Sequence, residues 1–204
     1  RPGWAPSTRK GARSSLRSFY AWMVAAGHLE HSPAATLDPV RVPRRLPRPA
    51  SEAQVTAGTG AACPDTALMV ALAAHAGLRR SEIAALRRQD VTPWGVHVVG
   101  KGGRHRVVPL APALREQLEA RSPGWIFPGR FTGHLHPATV QKRVRAAAGV
   151  APHAHRHRFA TRAYAGTRDL LAVQQLLGHQ SPETTQVYVA VAGLGLLDAV
   201  RAAA

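Results

Sequence analysis

The proline- and arginine-rich segment RVPRRLPRP at residues 41–49 divides this chain of 204 residues into two parts. Its three prolines prevent a helix and favour an extended path. Its four arginines repel one another and attract phosphate. We therefore predict a basic linker over residues 41–50, a short first unit at residues 1–40 and a larger second unit at residues 51–204.

The first unit contains one amphipathic helical pattern. Apolar side chains recur at helical spacing on one side, namely Leu16, Phe19, Tyr20, Met23 and Val24. Another side carries three arginines at intervals of four residues, namely Arg9, Arg13 and Arg17. Ser7 or Thr8 is a candidate N-cap, and Gly27 is a candidate stop. A lone amphipathic helix needs a surface to pack on, so the pattern predicts the remnant or minimal form of a helical domain.

The second unit has mostly helical patterns. After a short helix that Ser51 could cap, they follow at residues 66–76, 81–88, 111–121, 139–148, 157–165, 170–177 and 182–188. The period changes to two around the glycine turn GKGG at residues 100–103, where apolar runs at 96–99 and 107–110 predict a hairpin. The predicted fold class is α+β, mainly α with one small antiparallel sheet.

The charge of the chain restricts its partners. The 27 Lys and Arg residues against 11 Asp and Glu give a formal net charge of +16, while 45% hydrophobic residues still permit a packed core. This excess is typical of a protein that binds a polyanion. No apolar run approaches the roughly 20 residues of a membrane span, and no signal-peptide pattern begins the chain. The single cysteine, Cys63, excludes an internal disulfide and favours a reducing cytoplasm.

DNA is the polyanion that we expect this chain to bind. Arginine suits phosphate because its planar fork binds two oxygens at once. The candidate phosphate contacts lie on the first helix and in the linker, namely Arg9, Arg13, Arg17, Arg41, Arg44, Arg45 and Arg48. We expect the linker to lie along DNA, and a solvated linker without a fixed partner is the alternative.

Four motifs follow one another in the second unit. They are GLRRSEIAAL at 77–86, GKGGRHRVVPL at 100–110, HAHRHRFAT at 153–161 and LLGHQSPETTQVY at 176–188. Each motif alone is weak, but in this order they resemble the catalytic motifs of the tyrosine recombinases, also called the phage integrase family. The resemblance runs from about residue 12 to residue 190. It implies a catalytic domain of that family, preceded by a partial core-binding domain.

The resemblance also implies a set of catalytic residues. By position they are Arg79 and Arg156 as the two arginines, Lys101 on the hairpin, His153, His179 and the nucleophile Tyr188. The other two tyrosines, Tyr20 and Tyr164, lie on apolar helical patterns and are interpreted as packing residues.

These residue types suit an exchange of phosphodiester bonds. A tyrosine hydroxyl has a pKa near 10, so it needs a neighbour that takes its proton, and His153 is the candidate. Arg79 and Arg156 would clamp the charged nonbridging oxygens. Lys101 would protonate the departing 5′ oxygen, and His179 would donate a hydrogen bond to a nonbridging oxygen. Because one phosphoester replaces another, we expect no cofactor, neither ATP nor a metal.

The run HAHRHR supports an alternative. His153, His155 and His157 alternate as metal ligands could, and three imidazoles can bind zinc. Alternation directs successive side chains to opposite faces of a strand, however. A metal-dependent nuclease that uses these histidines is therefore one alternative hypothesis, and a noncatalytic DNA-binding protein is another. The chain also departs from the family here, which usually has Leu at position 155 and Ser or Thr where Arg158 stands.

The resemblance implies a site-specific recombinase or integrase of a phage or mobile element that forms a 3′-phosphotyrosyl intermediate. It further implies a homotetramer on two duplexes in the bacterial cytoplasm. In the family, a tail such as residues 189–204 commonly docks on a neighbouring protomer, and packing on its own domain is the alternative. The helix at residues 7–27 and the catalytic unit, which the linker joins, would enclose the DNA between them.

Overall fold

The structure, a computed structural model, describes residues 3–43, 46–100, 102–130 and 133–178. The chain divides into two compact units, residues 1–45 and residues 46–204. This division falls inside the predicted linker. The assignment of residues 1–40 to a partial core-binding domain stays a prediction.

The first unit is built on one long helix, α1 (Pro6–Ala25). The predicted caps Ser7 and Thr8 are wrong, because the helix starts before them, with Ala5 as a cap that offers no side-chain bond. Pro6 sets this start, since its φ suits the first helical position and its missing N–H is not needed there. The predicted stop is confirmed, because Gly27 takes a φ of 75° just after the last helical turn. None of the residues of α1 is buried.

The segment that follows α1 returns along it and is held by two arginines of the helix. Arg13 donates from Nε and Nη2 to the Leu37 carbonyl, at 3.0 and 2.8 Å. Arg17 donates to the Ala35 carbonyl at 2.8 Å. Two of the three helix arginines predicted to bind phosphate therefore bind main-chain oxygens of their own unit, and their contact with DNA stays a prediction.

The second unit contains seven helices and three strands in its described part. The helices are α2 (Glu52–Thr59), α3 (Pro64–His75), α4 (Arg80–Ala84), α5 (Pro112–Glu119), α6 (Pro137–Ala148), α7 (Pro152–Thr167) and α8 (Leu170–Leu177). The strands are β1 (Val91–Thr92), β2 (Gly95–Val99) and β3 (His105–Val108), and a 3₁₀ turn at Arg88–Asp90 precedes them. None of the helices in the described part of the chain is long and apolar enough to cross a membrane.

The core of the second unit surrounds α3. Residues 67–74 of this helix are all apolar, and Met69, Val70 and Leu72 are fully buried. It packs against α2, α6 and α7, while the inner faces of the sheet and of α5 belong to the same apolar cluster. Burial of each Leu, Val or Met contributes about 1.5–3 kcal/mol, so α3 contributes strongly to the stability of this unit.

The predicted hairpin is confirmed. β2 and β3 pair antiparallel, with Val96 opposite Val108 and Val99 opposite His105. Val96 and Val98 face the core, whereas Val99, the last residue of β2, is exposed. Successive side chains of a strand point to opposite faces of the sheet, as this pattern shows. The sheet also has a third strand that the sequence did not predict, because β1 pairs antiparallel with β2 over only two residues.

Four helices of the second unit have boundaries that can be compared with the prediction. α8 has the predicted bounds, and the predicted cap Ser51 accepts from Gln54 N–H at 3.3 Å. α4 ends at Ala84 rather than continuing to residue 88. α7 begins at Pro152 instead of residue 157, so the histidine run is helical rather than strand-like. The helix predicted over residues 182–188 lies outside the described residues.

Candidate active site

A tight turn after α3 places the first predicted catalytic arginine. Gly77 has a φ of +63°, and a Cβ there would lie 2.4 Å from the ring of Phe159, so the turn requires glycine. Leu78 then anchors in the core, fully buried. Arg79 follows as the N-cap of α4, with its side chain 31% exposed. The neighbouring Arg80 is exposed and donates to the side chain of Gln141 on α6.

A buried carboxylate, Glu82, organises the arginines of the site. Its side chain is 2% exposed. One oxygen accepts from the main-chain N–H of Arg79 at 2.8 Å, and the other accepts from Arg79 Nη1 at 2.7 Å. Arg106 binds both oxygens at 2.9 and 2.8 Å, and Arg156 Nη1 lies 3.8 Å from Oε2. Three guanidinium groups therefore surround one carboxylate.

The charge of Glu82 is fixed by these contacts. Burial alone would raise the pKa of this carboxyl, but the hydrogen bonds from Arg106 and Arg79 outweigh burial and lower the pKa to about 2. Glu82 is therefore ionised at neutral pH. Its single negative charge stands against three positive charges, so the assembly retains an excess of two positive charges.

Arg156, the second predicted catalytic arginine, lies beside this assembly. It projects from α7, and its side chain is 2% exposed. Its guanidinium donates to the carbonyl of Gly77 at 2.5 Å and to that of Leu177 at 2.6 Å. Arg79 donates to the carbonyl of Gly178 at 3.2 Å. The two arginines predicted to clamp phosphate are thus brought together at the end of α8, although 77 positions separate them in sequence.

His153 shares a cleft with both arginines. The cleft is lined by residues from α4, α6 and α7, among them Leu78, Arg79, Ser81, Gln141, His153 and Arg156. Burial, followed by the positive charges of Arg156 and Arg79, lowers the pKa of His153. This shift favours the neutral imidazole, which is the form that can accept a proton. Its ring contacts that of His157 edge to face, at 4.0 Å between centroids.

The three histidines of the run do not converge. His153 and His157 are four residues apart on α7 and share one face, whereas His155 lies on another face and is fully buried. Neither ring nitrogen of His155 has a hydrogen-bond partner in the described part of the chain. Among the described residues, no group of three or more His, Cys, Asp or Glu side chains is placed to hold a metal.

Three predicted catalytic residues, Lys101, His179 and Tyr188, lie outside the described residues, and so do Arg44, Arg45 and the segment 189–204. The site also contains two residues that the sequence reasoning missed. Glu82 could have been found, since an acidic residue three positions after an N-cap is a capping-box spacing. No sequence signal distinguishes Arg106 from the other basic residues of the hairpin.

Similarity to known proteins extends over almost the whole chain. The sequence profile of the phage integrase family matches residues 54–193. The chain is 38% identical over 210 residues to tyrosine recombinase XerC of Xylella fastidiosa strain 9a5c, which covers 92% of this chain and 71% of that protein.

Two solved structures are also similar. The integrase from mycobacterium phage Brujita is 31% identical with a TM-score of 0.60, over 87% of this chain and 65% of that one. The XerH site-specific recombinase, in its post-cleavage complex with palindromic difH substrate, is 20% identical with a TM-score of 0.72, over 98% of this chain and 68% of that one. At that identity the XerH likeness bears on the fold alone, and it confirms the predicted fold class.

Proposed function

Because this chain belongs to the phage integrase family, we propose that it cuts and rejoins DNA strands at specific sites through a 3′-phosphotyrosyl intermediate, with Tyr188 as the nucleophile. The observation that carries the proposal is the convergence of Arg79, Arg156 and His153 on one cleft. Two guanidinium groups and a neutral imidazole are the groups needed to hold a phosphodiester and to remove a proton beside it.

The arginines would stabilise the charge that develops during the reaction. Attack on a phosphodiester gathers negative charge on the nonbridging oxygens, and Arg79 and Arg156 would donate to these oxygens. Glu82 supports this role because it holds Arg79 through both its main chain and its side chain. A guanidinium held in place before the substrate arrives loses little conformational freedom on binding it.

The covalent step is balanced without an external reagent. The Tyr188 oxygen would attack the scissile phosphorus and pass its proton to His153. The bond between phosphorus and the 5′ oxygen would break, and that oxygen would take a proton from Lys101. His179 would donate a hydrogen bond to a nonbridging oxygen. One P–O bond forms as another breaks, so the energy of the phosphoester remains available for rejoining a strand.

The substrate would be double-stranded DNA, and the exposed arginines of the linker would contact its phosphates. Arg41 and Arg48 are exposed in the described part of the linker. If each neutralises one phosphate, Arg41→Ala and Arg48→Ala should each reduce the slope of log K against log salt by roughly 0.9. The matched comparison is Arg13→Ala, whose salt slope is measured in the same way. Arg13 already binds the Leu37 carbonyl within the first unit.

We further assign the chain to the integration or excision of a phage or mobile element in the cytoplasm of a bacterial cell. It would act as a homotetramer on two duplexes, with residues 189–204 docked on a neighbouring protomer. The likeness to a phage integrase at 31% identity supports this assignment.

A nicked suicide substrate tests the proposed chemistry. Such a substrate releases a short strand on cleavage, so rejoining fails and the covalent complex accumulates. The expected result is denatured protein that carries DNA through one tyrosine, with full activity in chelator. Tyr188→Phe should abolish this complex and leave DNA binding intact. Tyr164→Phe, which alters a partly buried tyrosine packed against the cluster of Ala160, Val173 and Leu177, is the matched control and should retain it.

Two outcomes would contradict the proposal. If the Tyr188→Phe variant cuts DNA strands as the wild type does, the assignment of Tyr188 as the nucleophile is wrong. Activity that disappears with chelator and leaves no protein-linked DNA would favour the metal-dependent nuclease.

A further inference from the structure

The carboxyl end of α8 is held by three arginines from three different elements. Leu176, Leu177 and Gly178 present successive main-chain carbonyls there. Arg106 of β3 donates to the first at 2.8 Å, Arg156 of α7 to the second at 2.6 Å and Arg79 of α4 to the third at 3.2 Å. Carbonyls at a helix carboxyl end lack partners within the helix, so the arginines satisfy groups that would otherwise need water.

Arg106 differs from Arg79 in its exposure and from both other arginines in its position relative to the cleft. Its side chain is 10% exposed, whereas Arg79 is 31% exposed. Each of its three nitrogens already donates to a protein oxygen, Nε to Leu176 and the two terminal nitrogens to Glu82. Among the described residues, the cleft is lined by Arg79, His153 and Arg156 but not by Arg106, so the part of Arg106 in the site is exerted through its neighbours.

The contact between Arg106 and the end of α8 is also steric. Gly178 has a φ of +61°, and a Cβ there would lie 3.2 Å from Cδ and from Nη1 of Arg106. The arginine therefore packs against the glycine that ends α8, directly before position 179 in the sequence. A shift of Arg106 would displace this turn.

The charge of Arg106 bears on the other two arginines. The Glu82 carboxylate accepts four hydrogen bonds, and Arg106 donates two of them. Without it, the carboxylate would be neutralised by Arg79 and Arg156 alone. Glu82 would then draw Arg79, at 2.7 Å, and Arg156, at 3.8 Å, away from a bound phosphate, because opposite charges near a buried carboxylate interact strongly.

We infer that Arg106 is a positioning residue of the active site. It holds the end of α8, directly before position 179 in the sequence, against the two clamp arginines, and it neutralises Glu82 so that Arg79 and Arg156 keep their charge for the scissile phosphate. This inference rests on the proposed function, since it presumes that these two arginines bind phosphate.

The test compares Arg106→Met and Arg106→Lys with Arg158→Met. Arg158 is a suitable control because it is also a largely buried arginine that binds both oxygens of a carboxylate, Glu52, and a main-chain carbonyl, that of Ala74. Rates of covalent complex formation on the suicide substrate are measured at saturating DNA. Arg106→Met should slow this step about 100-fold, as expected when reacting groups are misplaced by about 1 Å. Arg158→Met should lower the melting temperature and leave the rate near wild type.

A second substrate separates positioning from a general loss of structure. A methylphosphonate at the scissile position replaces a charged nonbridging oxygen with a methyl group, so cations at that position matter less. The defect of Arg106→Met should shrink at least tenfold on this substrate relative to wild type. A role in folding alone would slow both substrates equally, and that result would overturn the inference.

Coupling to His179 supplies an independent readout. If Arg106 acts through this residue, the combined loss in Arg106→Met with His179→Phe should be smaller than the product of the two single losses. A full product would contradict that part of the inference. Should the methionine variant fail to fold, Arg106→Lys tests the positioning part by the same coupling to His179→Phe, because it keeps the charge and loses the fork; a full product of the two losses would again contradict the inference.

The outcomes also separate the inference from the proposed function. If the wild-type protein forms no covalent complex through Tyr188, the proposed function fails. If it forms the complex and Arg106→Met behaves as Arg158→Met does, only the inference about Arg106 fails.

Discussion

Two carboxylates in the second unit hold arginines in similar ways but in different surroundings. Glu82 is 2% exposed and binds Arg79 and Arg106, while Glu52 is 67% exposed and binds Arg158 and Arg162. Each has its pKa lowered to about 2. At Glu52 the hydrogen bonds from Arg158 are the main cause, and at Glu82 the arginine bonds have to overcome burial first.

The difference shows that two carboxylates with a similar pKa can depend to very different degrees on their arginine partners for their contribution to stability. An exposed carboxylate that loses an arginine can bind water instead, so its ion pairs contribute little. A buried carboxylate has no such replacement, and removing one member leaves charge uncompensated in the interior. The Glu82 assembly therefore depends more strongly on each of its members, and it is the one that contacts Arg79 and Arg156 of the candidate active site.

The largest expected effect comes from neutralising the buried carboxylate. Glu82→Gln should destabilise the fold by about 3–5 kcal/mol, because Arg106 and Arg156 would be left buried without a counter-charge. It should also abolish cleavage of the suicide substrate. Urea unfolding and the covalent-complex assay measure the two effects. Equal losses of stability in Glu82→Gln and Glu52→Gln would contradict the stronger dependence of the buried carboxylate on its arginines.

The same variant changes the response to acid. The pKa of Glu82 is about 2 in the folded state against an ordinary value of 4.5. Its stabilisation is therefore complete above pH 4.5 and is lost as pH falls towards 2. Stability of the wild-type protein should decline over this range, and Glu82→Gln should show a weaker decline in the same unfolding measurements.

An intermediate effect is expected at His155, next to the Glu52 assembly. Burial, with the charges of Arg158 and His75, lowers the pKa of His155 to about 4 from 6.5. The folded state thus favours the neutral ring, and stability is complete above pH 6.5 and falls as pH decreases towards 4. His155→Leu removes two unpartnered ring nitrogens, so it should stabilise the protein by about 1–3 kcal/mol.

Unfolding at pH 7 and pH 5 checks this expectation. The variant should lose less stability between the two values than the wild type does. Part of the decline should remain, since burial and the charge of His153 also lower the pKa of His157 to about 4. A destabilised His155→Leu protein would show that the imidazole makes a favourable contact after all.

The smallest effect is expected from Glu52→Gln. Its ion pairs with Arg158 and Arg162 are open to solvent, so stability should fall only slightly, and added salt should reduce the difference from wild type. Thermal melting at low and high salt measures this. A large loss that salt does not alter would indicate that Arg158, which is mostly buried, depends on Glu52 as strongly as Arg106 depends on Glu82.

Local patterns predicted the elements well where one period dominated. The hairpin and the bounds of α8 are confirmed, because alternation and helical spacing act over few residues. α7 was predicted to start too late, although Pro152 at its first position was a usable start signal. The resemblance to the phage integrase family is confirmed as well.

Contacts between distant segments were beyond such reasoning. Glu82 and Arg106 are 24 residues apart, and Arg106 and Leu176 are 70 apart. Whether two such groups meet depends on the packing of α3, the sheet and α8 together. The same limit applies to Arg13 and Arg17, whose spacing indicated a phosphate-binding face but whose guanidinium groups hold the returning chain of the first unit.

The amino-acid sequence by itself determined the family, the order of the catalytic motifs and most of the helices, because these follow from side-chain chemistry and from spacing along a single element. Only the tertiary structure decided which charges share a buried environment. Burial makes Glu82 a fixed centre for three arginines and leaves Glu52 a surface ion pair, and burial is a property of the packed chain rather than of either residue.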